Sequence, residues 1–343
     1  MTGLLVVLAI GFAFSMGAHY TGACMGMPHA LGALSARRSL LVMAPFTLLG
    51  ATFASHGVEH TVGHGLLAGG GLSVAGLVVV VGVAFGLTSA FNALRIPTST
   101  IQILVFSVVG AGLAAGTGVQ WGHIEELAVI WAAAPLAAIG LGYAFTRLLD
   151  VVPGVRLEAA GEATGPPGRE AAPGRTSSSA GARLATALVA VGALASFTMG
   201  SNDVANATGS LVGAHVLGPL AAGFVGGLGL AAGVLTWGRP LLRRVAFDLV
   251  TVDRPMATAA QLVQAAVVLS AVGFGLFTSM NQALVGAMAG AGFARGRRSV
   301  HVATLVGILE GWVAGPGAGV ALAYVITRLA VAVAGGHHLL AAT

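Results

Sequence analysis

Charge is what this sequence has least of. Only 8% of its 343 residues are Asp, Glu, Lys or Arg, 56% are hydrophobic, and mean hydropathy is +0.92. Soluble domains carry about 25% charged residues. A surface in contact with water cannot be assembled from so few, whereas a surface in contact with lipid needs none, so a water-soluble protein is excluded and a membrane protein implied. Lysine is absent: all sixteen basic residues are Arg, and they set a pI near 10.6. They fall in short breaks between apolar runs and not on one basic face, so nucleic acid is not expected as a partner. Cysteine occurs once, as Cys24, which rules out an internal disulfide and reads as a small buried hydrophobe. No Lys or Arg precedes the apolar stretch 2–16, which is expected to be a first span and not a cleaved leader. No nucleophile with a base, no phosphate-binding loop and no soluble domain can be found, so neither enzyme activity nor a cofactor is expected.

Glycine, by contrast, is abundant. Its 53 residues are spread through apolar segments without a collagen period, as where membrane helices approach closely through small residues. Apolar runs approaching the ~20 residues of a bilayer crossing recur between short polar breaks. Five are expected in each half: 3–35 as one long interrupted element, 39–55, 65–87, 96–116 and 127–149, then 183–213 interrupted, 217–237, 257–276, 278–294 and 301–333. Residues 151–182 hold Gly-Pro-Pro-Gly at 165–168 and the run Thr176-Ser177-Ser178-Ser179, a composition that cannot bury a core. The expected organisation is therefore a first membrane repeat over 1–150, a flexible linker over 151–182 and a second repeat over 183–343.

The halves resemble each other. Gly17-Ala18 begins a polar interruption in the first long element, and Gly200-Ser201 begins one in the second. Ser99-Thr100-Ile101-Gln102 precedes an apolar run ending Val109-Gly110-Ala111-Gly112, and Ser279-Met280-Asn281-Gln282 precedes Ala289-Gly290-Ala291-Gly292. An odd number of crossings per copy makes the second enter from the opposite side, giving inverted-topology repeats. Charge agrees with this. With both termini outside, the breaks carrying Arg37-Arg38, Arg239, Arg243, Arg244 and Arg254, and Arg295, Arg297 and Arg298 all face the cytoplasm, as does the linker. The expected fold is an all-α integral membrane protein of about ten segments in two inverted repeats, with broken helices and helical hairpins.

The stretch richest in chemistry is Gly200-Ser201-Asn202-Asp203-Val204-Ala205-Asn206-Ala207-Thr208-Gly209, set between apolar segments. An Asp at membrane depth costs on the order of 3 kcal/mol and is expected to face an interior site. Asn202 and Asn206, four apart, share one helix face. The flanking glycines predict an unwound segment between 200 and 209, where free backbone groups meet an anion while carbonyls and carboxylates hold a cation. An interhelical hydrogen-bond cluster is the alternative.

Residues 200–207 also resemble, with Ser201 for Ala, the Gly-Ala-Asn-Asp-Val-Ala-Asn-Ala signature that the inorganic phosphate transporter (PiT) family carries in each repeat. Pro97-Thr98-Ser99-Thr100-Ile101-Gln102 is similar to the family's hairpin motif Pro-Val-Ser-Thr-Thr-His, and Phe277-Thr278-Ser279-Met280-Asn281-Gln282 sits where a second copy belongs. The resemblance implies symport of inorganic phosphate with H⁺ or Na⁺ by alternating access. It implies an anion site at Ser99, Thr100, Ser279, Asn202, Asp203 and Asn206, with Asp203 and Asn206 also facing the coupling ion. The first signature departs from the pattern: it reads Gly17-Ala18-His19-Tyr20-Thr21-Gly22-Ala23-Cys24, and both hairpin His positions are Gln102 and Gln282. A sulfate-transporting branch of the family has a degraded first signature too, so phosphate leads and sulfate stays open as the substrate.

Two further residues are candidates for the coupling ion: His19, as a proton carrier or a satisfied core histidine, and Glu310, as a second buried carboxylate or a group paired with a polar neighbour. A cation transporter built on His19, Asp203 and Glu310 is the competing class. His56, His60 and His64 with Glu59 have metal-ligand spacing if helical, but Gly57 and Gly63 suit an exposed turn better. Beyond lipid and the transported ion no partner is required, and a homodimer is compatible with the sequence.

Overall fold

The computed structural model describes residues 1–59, 66–67, 71–152, 155, 179–242, 252–296 and 302–334. Eleven helices are found among them: α1 (Thr2–His19), α2 (Thr21–Ala30), α3 (Ala36–Phe53), α4 (Val74–Leu94), α5 (Thr100–Ala115), α6 (Trp121–Leu149), α7 (Ser179–Gly213), α8 (Pro219–Trp237), α9 (Arg254–Gly273), α10 (Met280–Arg295) and α11 (Val302–Ala334). All ten expected segments have a helical counterpart, with 3–35 divided into α1 and α2. Seven spans, counting α1 with α2 as one, are long and apolar enough to cross a membrane among the described residues. Most of the linker, together with His60, His64, Arg243, Arg244, Arg297 and Arg298, lies outside the described residues.

Local chemistry sets the boundaries. Ser35, Ser73, Ser99, Asp253 and Ser279 cap α3, α4, α5, α9 and α10, each accepting a hydrogen bond from a backbone N–H three residues on. The cap at Ser73 explains why α4 starts at Val74 and not at 65. The hydropathy of Leu66, Leu67 and Leu72 extends the apolar run backwards, but this helix begins where the Ser73 side chain satisfies one of its first N–H groups. At the other end of α5, Gly116 takes the left-handed conformation (φ 78°) that closes the helix.

α5 and α10, of 16 residues each, reach about 24 Å at 1.5 Å per residue, short of a ~30 Å hydrocarbon core. Their first residues are buried, so each starts inside the protein from a short extended tip. These are the helical hairpins, α4 with α5 and α9 with α10.

Packing follows the repeat. α1, α3, α7 and α8 form a central frame, with α3 against α7 and α8, and α1 against α8. On one side lie α4, α5 and α11; on the other lie α9, α10 and α6. Each side group joins a hairpin of one repeat to the last helix of the other. Glycine permits the frame's close contacts at matching places: a Cβ on Gly50 would stand 1.9 Å from the Phe197 carbonyl oxygen, and one on Gly233 would stand 1.8 Å from that of Phe14.

One expectation fails here. α7 runs without interruption through 200–209, and the break occurs only in the first repeat, at Tyr20 (φ −90°, ψ 4°) between α1 and α2. Gly200 serves proximity and not unwinding, since a Cβ there would lie 2.0 Å from the Thr47 carbonyl oxygen of α3.

Candidate functional site

The polar residues of the two repeats meet at the bundle centre. α7 carries Asn202, Asp203 and Asn206 on one buried face, at 1% exposure or less. Asp203 accepts hydrogen bonds from the Asn202 amide (3.2 Å) and the Asn206 amide (3.4 Å), and the Tyr20 side chain lies near it. Asn202 also pairs with the second hairpin tip in both directions: its Nδ2 donates to the Thr278 carbonyl at 2.9 Å, and its Oδ1 accepts from the Thr278 N–H at 3.2 Å. Such amide-to-backbone pairing fixes the tip relative to α7.

In the first repeat His19 stands where Asn202 stands in the second, and it holds the corresponding tip. Asn92 Nδ2 donates to the Ser15 carbonyl (2.8 Å) and hydroxyl (3.0 Å), which turns Asn92 Oδ1 toward His19 Nδ1 at 2.6 Å. The ring proton therefore sits on Nδ1. Nε2 is left to accept from the Thr98 N–H (3.4 Å) and the Asn281 amide (3.3 Å), while Asn281 also donates to the Thr98 carbonyl at 2.8 Å. His19 is thus a satisfied histidine in this arrangement. The Thr98 carbonyl oxygen is also 3.1 Å from Nε2, placed to accept a second proton there.

The tips bring two helix N-termini together. Gln282 at the start of α10 donates to Gln102 at the start of α5 (3.2 Å), and the Tyr20 hydroxyl pairs with Thr100 Oγ1 (2.8 Å). Ser99 and Ser279 use their oxygens as cap acceptors, which leaves each hydroxyl hydrogen free to donate. Two positive helix ends, with their hydroxyls, converge on a region that, among the described residues, holds one carboxylate and no Arg.

Five of the eight sequence-derived candidates (Thr100, Asn202, Asp203, Asn206 and His19) join one hydrogen-bonded assembly of both repeats, and Ser99 and Ser279 cap the helices that bound it. Glu310 does not join them. It is exposed on the outer side of α11, so the expected buried carboxylate is not found there. Burial of an apolar segment's polar residue depends on which face packs inward, and α11 turns this one outward. Conversely, Tyr20, Asn92, Thr278 and Asn281 belong to the assembly without having been singled out for it; amides inside apolar runs were the available signal.

A cavity of about 250 Å³ leads toward this assembly, lined by α4, α5 and α7 through Val80, Leu104, Asn206 and Ser210 and roofed by Leu66 and Leu72. The Asn206 oxygen is buried and has no hydrogen-bond partner. An unpaired buried amide oxygen beside a carboxylate fits a cation or a donor-bearing ligand.

Inverted repeats, paired hairpins with buried helix starts and a central polar site together are the architecture of a membrane transporter. The comparisons narrow this to a family. A model of the phosphate transporter family matches residues 16–323, and the chain belongs to that family. It is 25% identical to the sulfate permease CysP of Bacillus subtilis (strain 168), over 94% of this chain and 86% of that one. It is 27% identical to a probable low-affinity inorganic phosphate transporter of Mycobacterium leprae (strain TN), over 85% and 69%. A solved structure titled "The sodium-dependent phosphate transporter" shares the fold, with a TM-score of 0.84 at 20% identity over 96% of this chain and 98% of that one.

Proposed function

We propose that the protein is a symporter of inorganic phosphate driven by H⁺ or Na⁺ and working by alternating access. The observation that carries this reading is the meeting of two helix N-termini, through Gln102 and Gln282, beside the Asn202, Asp203 and Asn206 cluster. A tetrahedral oxyanion can be held there by backbone N–H groups and by the hydroxyls of Ser99, Thr100 and Ser279, with Asn202 positioning the second tip. Phosphate near neutral pH keeps a P–OH that Asp203 can accept, whereas sulfate offers acceptors only.

The coupling ion binds at Asp203 and Asn206, where a carboxylate and an unpaired amide oxygen adjoin. His19 is the proton-carrying group of the first repeat, with the Thr98 carbonyl as the acceptor for its second proton. Residues 1–150 and 183–343 act as the two repeats, joined by a cytoplasmic linker over 151–182, with both termini outside.

Sulfate is the second reading. It is favoured by the degraded first signature at His19, Tyr20 and Ala23 and by the similarity to a sulfate permease along almost the whole chain.

Proteoliposomes given labelled phosphate or sulfate in the external medium, with and without a Na⁺ gradient and across a pH series, separate these readings. Phosphate accumulation that excess sulfate fails to compete away is expected. Accumulation of sulfate alone moves the assignment to the second reading, and transport of neither anion sinks both.

A further inference from the structure

Glu59, in the helical turn after α3, is fully buried, yet the site described above does not use it. Its Oε1 lies 2.9 Å from Thr208 Oγ1 of α7, and its Oε2 is buried with no partner. Thr208 Oγ1 is also 2.9 Å from the Val204 carbonyl oxygen, one turn back in α7. A threonine hydroxyl has a single hydrogen. If that hydrogen goes to the Val204 carbonyl, which can only accept, the hydrogen in the Glu59 contact must come from Glu59. Ser55 does not change this count. It lies near Glu59, but its hydrogen is directed at the Ala51 carbonyl, 2.7 Å away. With that assignment both neighbouring hydroxyls direct their protons at helix carbonyls.

We propose that Glu59 is a proton-binding site: it carries a proton in this conformation, donates it to Thr208, and on losing it draws the Thr208 hydroxyl away from Val204. The ligand is H⁺ itself, held outside the central site and linked to it along α7, since Val204 adjoins Asp203 and lies two residues from Asn206. Surroundings agree with the proton count. Burial pushes the Glu59 carboxyl above its ordinary value, and this outweighs Thr208, His56 and Ser55, which pull it down. Among the described residues the titratable group facing it is His56 on its own turn, which is exposed, and α7 presents the uncharged Thr208. His60, next in the chain, lies outside the described residues. Ionisation would leave a buried charge held by one hydroxyl, and that hydroxyl would have to abandon its helix carbonyl.

The link to transport rests on the reading above, but protonation of Glu59 does not, and the two are tested separately. Infrared spectra of the full chain in lipid are recorded across a pH series for the wild type, Glu59→Gln and Thr208→Val. A carboxylic acid C=O band is expected at neutral pH in the wild type. It should be missing in Glu59→Gln, whose amide can donate to Thr208 in the same way, and shifted in Thr208→Val, where its acceptor is gone. Spectra of the wild type and Glu59→Gln that superimpose would overturn the proposal. In proteoliposomes the pH step in anion uptake is expected to be lost in Glu59→Gln, and an unchanged pH profile would overturn the link to α7. If the wild type moves neither anion while the band behaves as expected, the transport reading fails and the proton site stands.

Discussion

Asp203 gathers two amide donors and Tyr20 around a carboxylate in the middle of a bundle. Replacing it by Asn keeps the shape but turns one acceptor into a donor facing the amides of Asn202 and Asn206, an uncompensated contact worth roughly 1–3 kcal/mol. Asp203→Asn is therefore expected to fold, measured as a monodisperse membrane protein, while coupled accumulation of labelled anion falls to the level of protein-free liposomes. Uptake equal to wild type would remove Asp203 from the mechanism. Glu59 makes a different prediction because its carboxyl is raised by burial. A group that holds its proton more tightly folded than unfolded contributes stability below the ordinary Glu value of about 4.3, and that contribution is lost as pH rises through the folded value. The thermal midpoint of the wild type should fall with rising pH relative to Glu59→Gln, and a constant gap between the two would contradict the raised value. Sequence reading singled out Asp203 through its motif but weighed Glu59 only as a companion of the loop histidines; its burial and its contact with Thr208, far away in the chain, emerge only in the fold.

For helices, composition and periodicity carried the reading well where lipid sets the rule, as in the placement of α6, α8 and α9. They failed where packing sets it. Gly200 and Gly209 look like a place to unwind, yet α7 stays helical because Gly200 lets it approach α3; in the first repeat Tyr20 breaks the element instead. A glycine's purpose is therefore read from what stands opposite it, and this can be tested. Gly50→Ala and Gly233→Ala would each place a methyl within 2 Å of a helix carbonyl oxygen, so the frame must separate, and loss of folded protein is expected. Gly86→Ala in α4 meets nothing within 4 Å and is expected to leave the melting temperature unchanged or raise it, by up to about 1 kcal/mol in stability. Size-exclusion profiles and thermal unfolding of the three variants decide this. Equal behaviour of Gly86→Ala and Gly50→Ala would contradict the packing argument.

At the scale of the molecule, the two side groups match in helices but differ in the charges that corresponding helix ends carry. In the group of α6, α9 and α10, Arg295 at the end of α10 pairs with Asp253, the cap of α9 (2.8 Å), and with Asp150 at the end of α6. One cation thus joins the last helix of the first repeat to the hairpin of the second. In the other group Ser73 takes the place of Asp253 and Ala115 that of Arg295, so these two positions, both uncharged, do not repeat the Arg295–Asp253 ion pair. If the protein works by alternating access, the group of α6, α9 and α10 moves as one body. Arg295→Gln leaves two carboxylates facing each other at a partly buried site and should cost about 1–3 kcal/mol. The cost belongs mostly to the uncompensated charge, so Arg295→Gln combined with Asp150→Asn should recover much of it. Thermal unfolding of wild type, single and double variants makes this a cycle. A double variant no more stable than Arg295→Gln alone would show that Arg295 acts through packing and not as the charge that binds the two repeats together.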